Sequence, residues 1–293
     1  MAAIAQGHQV HPDGRTWKSH FPKGDLWVFG YGSLIWKPPP HYDQRVPGYI
    51  SGYVRRFWQV RKPFTQGEDF LYIRIRKSRT NILVIVHEFQ ASTDHRGTPE
   101  QPGRVVTVIE RTFWETLDDP LAHLESELSS TGKVWGAAYH IPASHAEEVH
   151  DYLDEREIDG YSAHYTPFHP TVEVGGTGSS PIICMVYIGQ PSNPQFLRDA
   201  ADRDPQHVAQ VISAGHGLSG KGSEYLFLLE KALEGLGLGT ADVHVTDLVK
   251  RVKAIEAEGL AEAEEEEAEL KVTRSLESSA EVSDREDDRA TIE

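Results

Sequence analysis

The sequence predicts an α+β domain, and three observations predict it. Short apolar runs rich in β-branched and aromatic residues recur at positions 26–29, 104–110, 134–141 and 182–188. Runs of that length bounded by Gly, Pro or polar clusters read as buried strands. Segments with apolar residues at spacings of three and four follow at 144–157, 204–214 and 223–236, the signature of amphipathic helices. With 293 residues, 39% of them hydrophobic, the chain is long enough for one full core or two small ones.

Taken in order, residues 1–24 are polar without periodic apolar pattern and are expected to be a loose lead-in. The first strand runs into Gly30-Tyr31-Gly32-Ser33, and Pro38-Pro39-Pro40 stops any regular element after Lys37. Residues 46–57 suggest a second strand ending in the pair Arg55-Arg56, and residues 111–133 a polar surface excursion. Ser144 with Glu147 three positions later reads as a capping box opening a helix to about Glu157, with Gly160 able to end it. Further strands are expected at 161, 165–174 and 182–188, joined by the glycine-rich link at 175–180, a hairpin loop without the Gly-Lys-Ser/Thr ending of a phosphate loop. Residues 242 to about 269 should be helical and increasingly acidic. The end of that segment and the rest of 256–293 are expected to be solvated or disordered.

Charge and composition narrow the classes. Residues 256–293 hold 15 acids and 4 bases, so most of the net charge of −16 sits there and the body is nearly balanced. No basic patch points to nucleic acid. No apolar run approaches the roughly 20 residues of a membrane span, and no hydrophobic signal core opens the chain. The single cysteine, Cys184, excludes an internal disulfide framework and fits a buried strand position. A cytoplasmic protein is expected. The acidic tail offers a surface to a basic partner, but a solubilising role is the simpler expectation. Fifteen histidines include no His-Glu-x-x-His, and there is no cysteine cluster, so no metal site is expected. Ser33 lacks a Gly-x-Ser-x-Gly elbow.

Two features carry chemistry. Gly30 and Gly32 let other groups approach main-chain N–H donors, which can hold a carboxylate or an oxyanion; the same pattern is also an ordinary turn after a strand. On the helix from Ser144, Ala146, Val149 and Leu153 share one face, and Glu157 is the next position on that stripe. Burial there would raise its pKa and suit proton transfer; alternatively it frays into solvent or pairs with Arg156.

The string Val28-Phe29-Gly30-Tyr31-Gly32-Ser33-Leu34-Ile35-Trp36 resembles the opening strand and substrate loop of the ChaC family, the glutathione-specific γ-glutamylcyclotransferases. Further blocks follow in family order: Arg55-Arg56-Phe57-Trp58-Gln59, Ser92-Thr93-Asp94-His95-Arg96-Gly97, Pro102-Gly103-Arg104-Val105-Val106-Thr107, Val134-Trp135-Gly136, Arg156-Glu157 with Gly160-Tyr161, and Glu224-Tyr225-Leu226. The resemblance spans about residues 26–235. It implies a small mixed barrel-like sheet flanked by helices, a catalytic Glu157, and a substrate site built from Val28, Phe29, Gly30, Tyr31, Gly32, Ser33, Leu34 and Tyr225. It implies glutathione as the small-molecule substrate and no cofactor; the alternatives are a cyclotransferase acting on other γ-glutamyl peptides, or a non-catalytic binding protein if residues 60–90 disrupt the site. Each tyrosine also fits a core ring with its hydroxyl at the surface.

Residues 60–90 depart from the family pattern, in which Gln59 runs almost directly into the Ser-Thr-Asp-His-Arg-Gly block. One reading is an insertion, with 70–75 and 82–89 paired as a hairpin across a turn at 77–81. The other is a translated intron. Val60-Arg61 can be encoded by a splice donor such as GTACGT, Thr80-Asn81 by the branch-point-like ACTAAC, and Phe89-Gln90 by an acceptor ending in CAG.

Overall fold

The computed structural model describes residues 16–61, 75–77, 83–85, 96–98, 101–127, 132–157, 161–171, 180–217, 219–237 and 242–287. Its strands of three or more residues are β1 (Leu26–Gly30), β2 (Gln44–Ser51), β3 (Tyr53–Arg61), β4 (Ile75–Lys77), β5 (Leu83–Ile85), β6 (Gly103–Glu110), β7 (Lys133–Ile141), β8 (Tyr161–Pro170) and β9 (Ile182–Gly189). Its α-helices are α1 (Arg111–Trp114), α2 (Ala122–Glu127), α3 (Ala146–Arg156), α4 (Pro205–Ala214), α5 (Gly222–Glu234) and α6 (Val243–Asp287).

Five strands close a barrel in the order β1-β7-β2-β8-β9. All neighbours are antiparallel except β1 and β9, which close the ring in parallel at Val28 and Met185. Closure removes the exposed strand edges that an open sheet would carry. A separate antiparallel ribbon, β3 with β6, pairs from Tyr53 opposite Glu110 to Arg61 opposite Gly103. The single strand expected over 46–57 is therefore two strands in different sheets. Gly52 divides them at φ +84, a backbone region that residues with a Cβ avoid.

Residues 16–24 are not loose: Trp17 and Phe21 are buried, and the Trp17 ring stacks on His150 at 5.2 Å. Two separated aromatic residues give no periodicity, so the docking was invisible to pattern reading. Residues 111–133 are not merely a surface excursion. Trp114 and Leu121 enter the core, and the nearly buried Asp119 carboxylate accepts from Arg56 Nε and from Trp114 Nε1, each at 2.8 Å. Helix α3 begins at Ala146 with His145 as its N-cap and no side-chain capping bond. Ser144 stands one position too early for the expected box.

The stripe of Ala146, Val149 and Leu153 is fully buried, while Glu147, Glu148 and Glu155 face solvent, as expected. Asp204 caps α4, its Oδ1 accepting from the Gln206 and His207 amides. Helix α6 runs to Asp287, well beyond 269. Its first turns pack Val245, Leu248, Val249 and Val252 into the core, whereas Leu260 and Leu270 are exposed. Strands β4 and β5 pair within the segment expected as a hairpin, Ile75 opposite Ile85. Gly160, the Asp94-His95 pair and most of the 175–180 link lie outside the described residues. No described helix is long and apolar enough to cross a membrane.

The head of α6 is locked to β3. His244 is buried, and its Nε2 accepts the Phe57 amide at 3.1 Å. Burial, reinforced by the charges of Arg56 and Arg55, holds its pKa well below the ordinary 6.5. The unfolded chain takes up a proton near 6.5 that the folded chain refuses. This contribution to stability is thus intact above that pH and is lost as pH falls below it, by about 1.4 kcal/mol per pH unit for one proton. Urea melts at about pH 7.5 and about pH 5 should show His244→Asn weaker at the higher pH but less acid-sensitive, by close to one proton. An unchanged pH slope would contradict this.

Candidate functional site

The site begins where β1 ends. Beyond Gly30 the chain passes through Tyr31 and Gly32 into a 3-10 turn, Ser33–Ile35, closed by the Ile35 amide donating to the Gly32 carbonyl at 2.9 Å. The leading amides of such a turn have no partner within it. A Cβ on Gly30 would stand 2.6 Å from Leu34 Cβ, and one on Gly32 would stand 2.7 Å from Val106 Cγ1 and 3.3 Å from the Tyr225 hydroxyl. The turn is packed so closely that side chains at these two positions are excluded. From beneath, the Tyr139 hydroxyl lies 2.9 Å from the Leu34 carbonyl and 3.2 Å from that of Ile35, fixing the turn on the barrel.

A small open cleft lies over this turn. Phe29, Tyr31, Gly32, Ser33 and Leu34 form one wall, and Glu157 stands in the same cleft. Glu157 is the residue that ends α3; its amide donates to the Leu153 carbonyl, and its side chain is 15% exposed. The carboxylate lines the cleft, and its Oε1 is also 3.5 Å from Arg156 Nε. Tyr225, from α5, completes the set brought together; its ring meets Trp36 and Phe57 edge-on, with the Arg96 guanidinium 5.7 Å above it. Val28 and Gly30 do not line the cleft. Val28 is fully buried in the barrel, and Gly30 acts through the approach it allows.

Sequence reasoning missed three lining residues: Val106 of β6, Tyr161 of β8 and Tyr187 of β9. Tyr187 offered a weak signal, a polar tip inside the apolar run 182–188; Val106 and Tyr161 stand in the Pro102–Thr107 and Gly160-Tyr161 blocks, but nothing in their own pattern marks them as cleft residues. The Tyr161 hydroxyl donates to the Val106 carbonyl at 2.8 Å, and the Tyr187 hydroxyl to Asp154 Oδ1 at 2.7 Å. Asp154 Oδ2 is in turn 3.3 Å from His150 Nδ1. Burial raises the Asp154 pKa and lowers that of His150, each opposed by the charge of the other. The Tyr31 hydroxyl donates to the Tyr187 carbonyl at 2.8 Å, and burial first, then the charge of Glu157, pushes its pKa far upward.

Among the described residues, His41, His145 and Glu148 have the composition of a metal site. The two imidazole rings stack at 4.2 Å and 9°, so their in-plane lone pairs run parallel and do not converge on one ion. None of the three lines the cleft.

A sequence model described as ChaC-like protein matches residues 26–68 and 72–255. The chain is 38% identical over 239 residues to the glutathione-specific gamma-glutamylcyclotransferase of Schizosaccharomyces pombe, covering 80% of this chain and 96% of that protein. It is 34% identical over 245 residues to the protein of the same name from Saccharomyces cerevisiae, covering 76% and 91%. A crystal structure of a gamma-glutamyl cyclotransferase specific to glutathione from yeast superposes with a TM-score of 0.60 at 31% identity, covering 78% of this chain and 96% of that one.

The raised Tyr31 pKa has a direct optical consequence. An exposed tyrosine ionises near pH 10, whereas Tyr31 should stay protonated throughout ordinary alkaline titration. Tyr31→Phe should therefore show the same rise in phenolate absorbance up to about pH 11 as the parent protein. A rise smaller by one tyrosine would contradict the buried hydrogen bond.

Proposed function

This chain belongs to the ChaC-like family, and from that premise we propose that it degrades glutathione to 5-oxoproline and cysteinylglycine. One observation carries the proposal: the Glu157 carboxylate and the turn from Tyr31 to Leu34 line the same cleft. The names of the relatives support the substrate, since the S. pombe and S. cerevisiae proteins are both described as glutathione-specific.

The reaction balances within the substrate. The α-amine of the γ-glutamyl group attacks the γ-carbonyl carbon; a C–N bond forms, closing a five-membered lactam. The amide C–N bond to the cysteine breaks. The amine gives up a proton and the leaving nitrogen takes one. Glu157 accepts the first and returns the second, a general base that becomes a general acid. Holding the glutamyl chain curled makes the attack intramolecular, which supplies much of the rate. Main-chain amides of residues 30–34 hold the α-carboxylate or the developing oxyanion. Tyr31, spent on the Tyr187 carbonyl and kept protonated by burial, serves as a wall rather than a proton carrier. We place the protein in the cytoplasm, where its lone buried Cys184 stays reduced, and read the acidic end of α6 as a solubilising extension.

Purified protein should release 5-oxoproline from glutathione and much less from γ-glutamyl-alanine; the reverse preference would reassign the substrate. Glu157→Gln should lower kcat by about a thousand-fold with the circular dichroism unchanged. Near-normal turnover in that variant would remove Glu157 from the chemistry.

Residues 60–90 enter the same reading as an addition that the site does not need. Arg61 pairs with Gly103, and a Cβ on Gly103 would meet the Arg96 carbonyl, so Arg61 and Arg96 both lie beside Gly103 at one end of the ribbon. A version lacking 60–90 should turn over glutathione at least as fast as the full chain. Inactivity of that version beside an active full chain would make the segment part of the enzyme. Mature transcript that uniformly carries these codons would end the intron reading.

A further inference from the structure

We propose that Arg156 is a positioning residue that sets the Ser33 hydroxyl as a hydrogen-bond donor to the substrate's α-carboxylate, a role that rests on the γ-glutamyl reading above. Arg156 closes α3 beside Glu157, and its side chain is 7% exposed. Its Nη2 donates to Ser33 Oγ at 2.9 Å, and its Nη1 donates to the Lys37 carbonyl at 3.2 Å. One guanidinium thus spans the start and the exit of the turn that floors the cleft. The two-pronged contact uses the planar fork that distinguishes arginine from lysine.

The direction of the Ser33 bond decides what the cleft can bind. A guanidinium has donors and no acceptor. Ser33 Oγ must therefore accept from Arg156, which leaves its single proton for another partner. Among the described residues none takes it. Ser33 lines the cleft, so that proton is available to a ligand. A positive charge directly behind the oxygen polarises the hydroxyl and strengthens its donation to an anion. The same charge disfavours an amine at that point.

A γ-glutamyl α-carbon carries both a carboxylate and an amine. The cleft offers Ser33 backed by Arg156 to the one and the Glu157 carboxylate to the other. The two protein charges are neighbours in sequence and 3.5 Å apart in space. Because carboxylate and amine share one carbon, holding the first at Ser33 turns the second toward Glu157. The carboxylate is already charged in the ground state, whereas the γ-carbonyl oxygen becomes anionic only in the transition state. The contribution of Arg156 therefore falls on KM rather than on kcat.

Steady-state kinetics test this with Arg156→Met, Arg156→Lys, Ser33→Ala and the Arg156→Met/Ser33→Ala double variant. The substrates are glutathione and its analogue bearing a carboxamide in place of the glutamyl α-carboxylate. Ser33→Ala should raise KM for glutathione by about 10- to 100-fold, the worth of a charge-assisted hydrogen bond, with kcat within about three-fold; Arg156→Met should raise KM by a like factor, whatever the loss of its charge beside Glu157 does to kcat. The double variant should be little worse than the poorer single one. Preference for the carboxylate over the carboxamide should shrink by the same factor, and Arg156→Lys should recover part of it. A loss in kcat with KM unchanged, additive effects, or an undiminished carboxylate preference would overturn the role. If Arg156→Met does not fold, Arg156→Lys and Ser33→Ala carry the same comparison. Absence of 5-oxoproline from the unmodified protein would overturn the functional reading and this role together; normal turnover with unaltered KM in the variants would overturn this role alone.

Discussion

Strand β1 lies between β7 and β9, antiparallel to one and parallel to the other. That one parallel seam closes the barrel, and the rest of the site depends on it. Closure points the end of β1 at Tyr187 of β9, whose carbonyl receives the Tyr31 hydroxyl and whose own hydroxyl reaches Asp154 on α3. Helix α3 is held from the other side by Arg156, which donates to Ser33 and to the Lys37 carbonyl. A glycine turn and a helix end more than a hundred residues apart are thereby bound at two points, and Glu157 is carried into the cleft between them.

The β3–β6 ribbon supplies the cleft's third side, and charge keeps it in place. Thr107 Oγ1 donates to the Gly189 carbonyl at 3.1 Å, and the Gly189 amide lies 3.0 Å from the same oxygen, so the ribbon is tied to the end of β9. Next in the ribbon, Arg55 and Arg56 are buried. Arg56 meets Asp119 and Glu125, both at 2.8 Å, and Arg55 meets Asp242 at 2.6 Å and the Trp135 carbonyl. Burying a guanidinium is costly unless it is paired and hydrogen-bonded, and removing one partner is worse than never having had the pair. These contacts specify where the ribbon and the head of α6 must sit, and so where Val106 and Tyr225 face the cleft.

The parts legible in the sequence were those with local causes. Strands showed as apolar runs, α3 as a stripe of Ala146, Val149 and Leu153, and Glu157 as the next position on it. The turn at Gly30 and Gly32 showed because close approach demands glycine. What remained hidden came from register and from long-range pairing. Nothing near Val106 or Tyr161 says that a ribbon and a barrel strand will bring them to one hollow. Arg156 looked like a surface partner for its neighbour, and only the fold reveals its second allegiance to Ser33. Trp17 and Asp119 were hidden for the same reason: Trp17 stacks on His150 and Asp119 accepts from Arg56, each a partner far along the chain.

On the proposed function, a γ-glutamyl group would lie curled between the turn after β1 and the end of α3, with its amine beside Glu157. A crystal structure of Glu157→Gln soaked with glutathione tests this most directly. The α-amine is expected within about 3.2 Å of the side chain at position 157 and facing its own γ-carbonyl. An extended glutamyl chain whose amine points away from that position would contradict it.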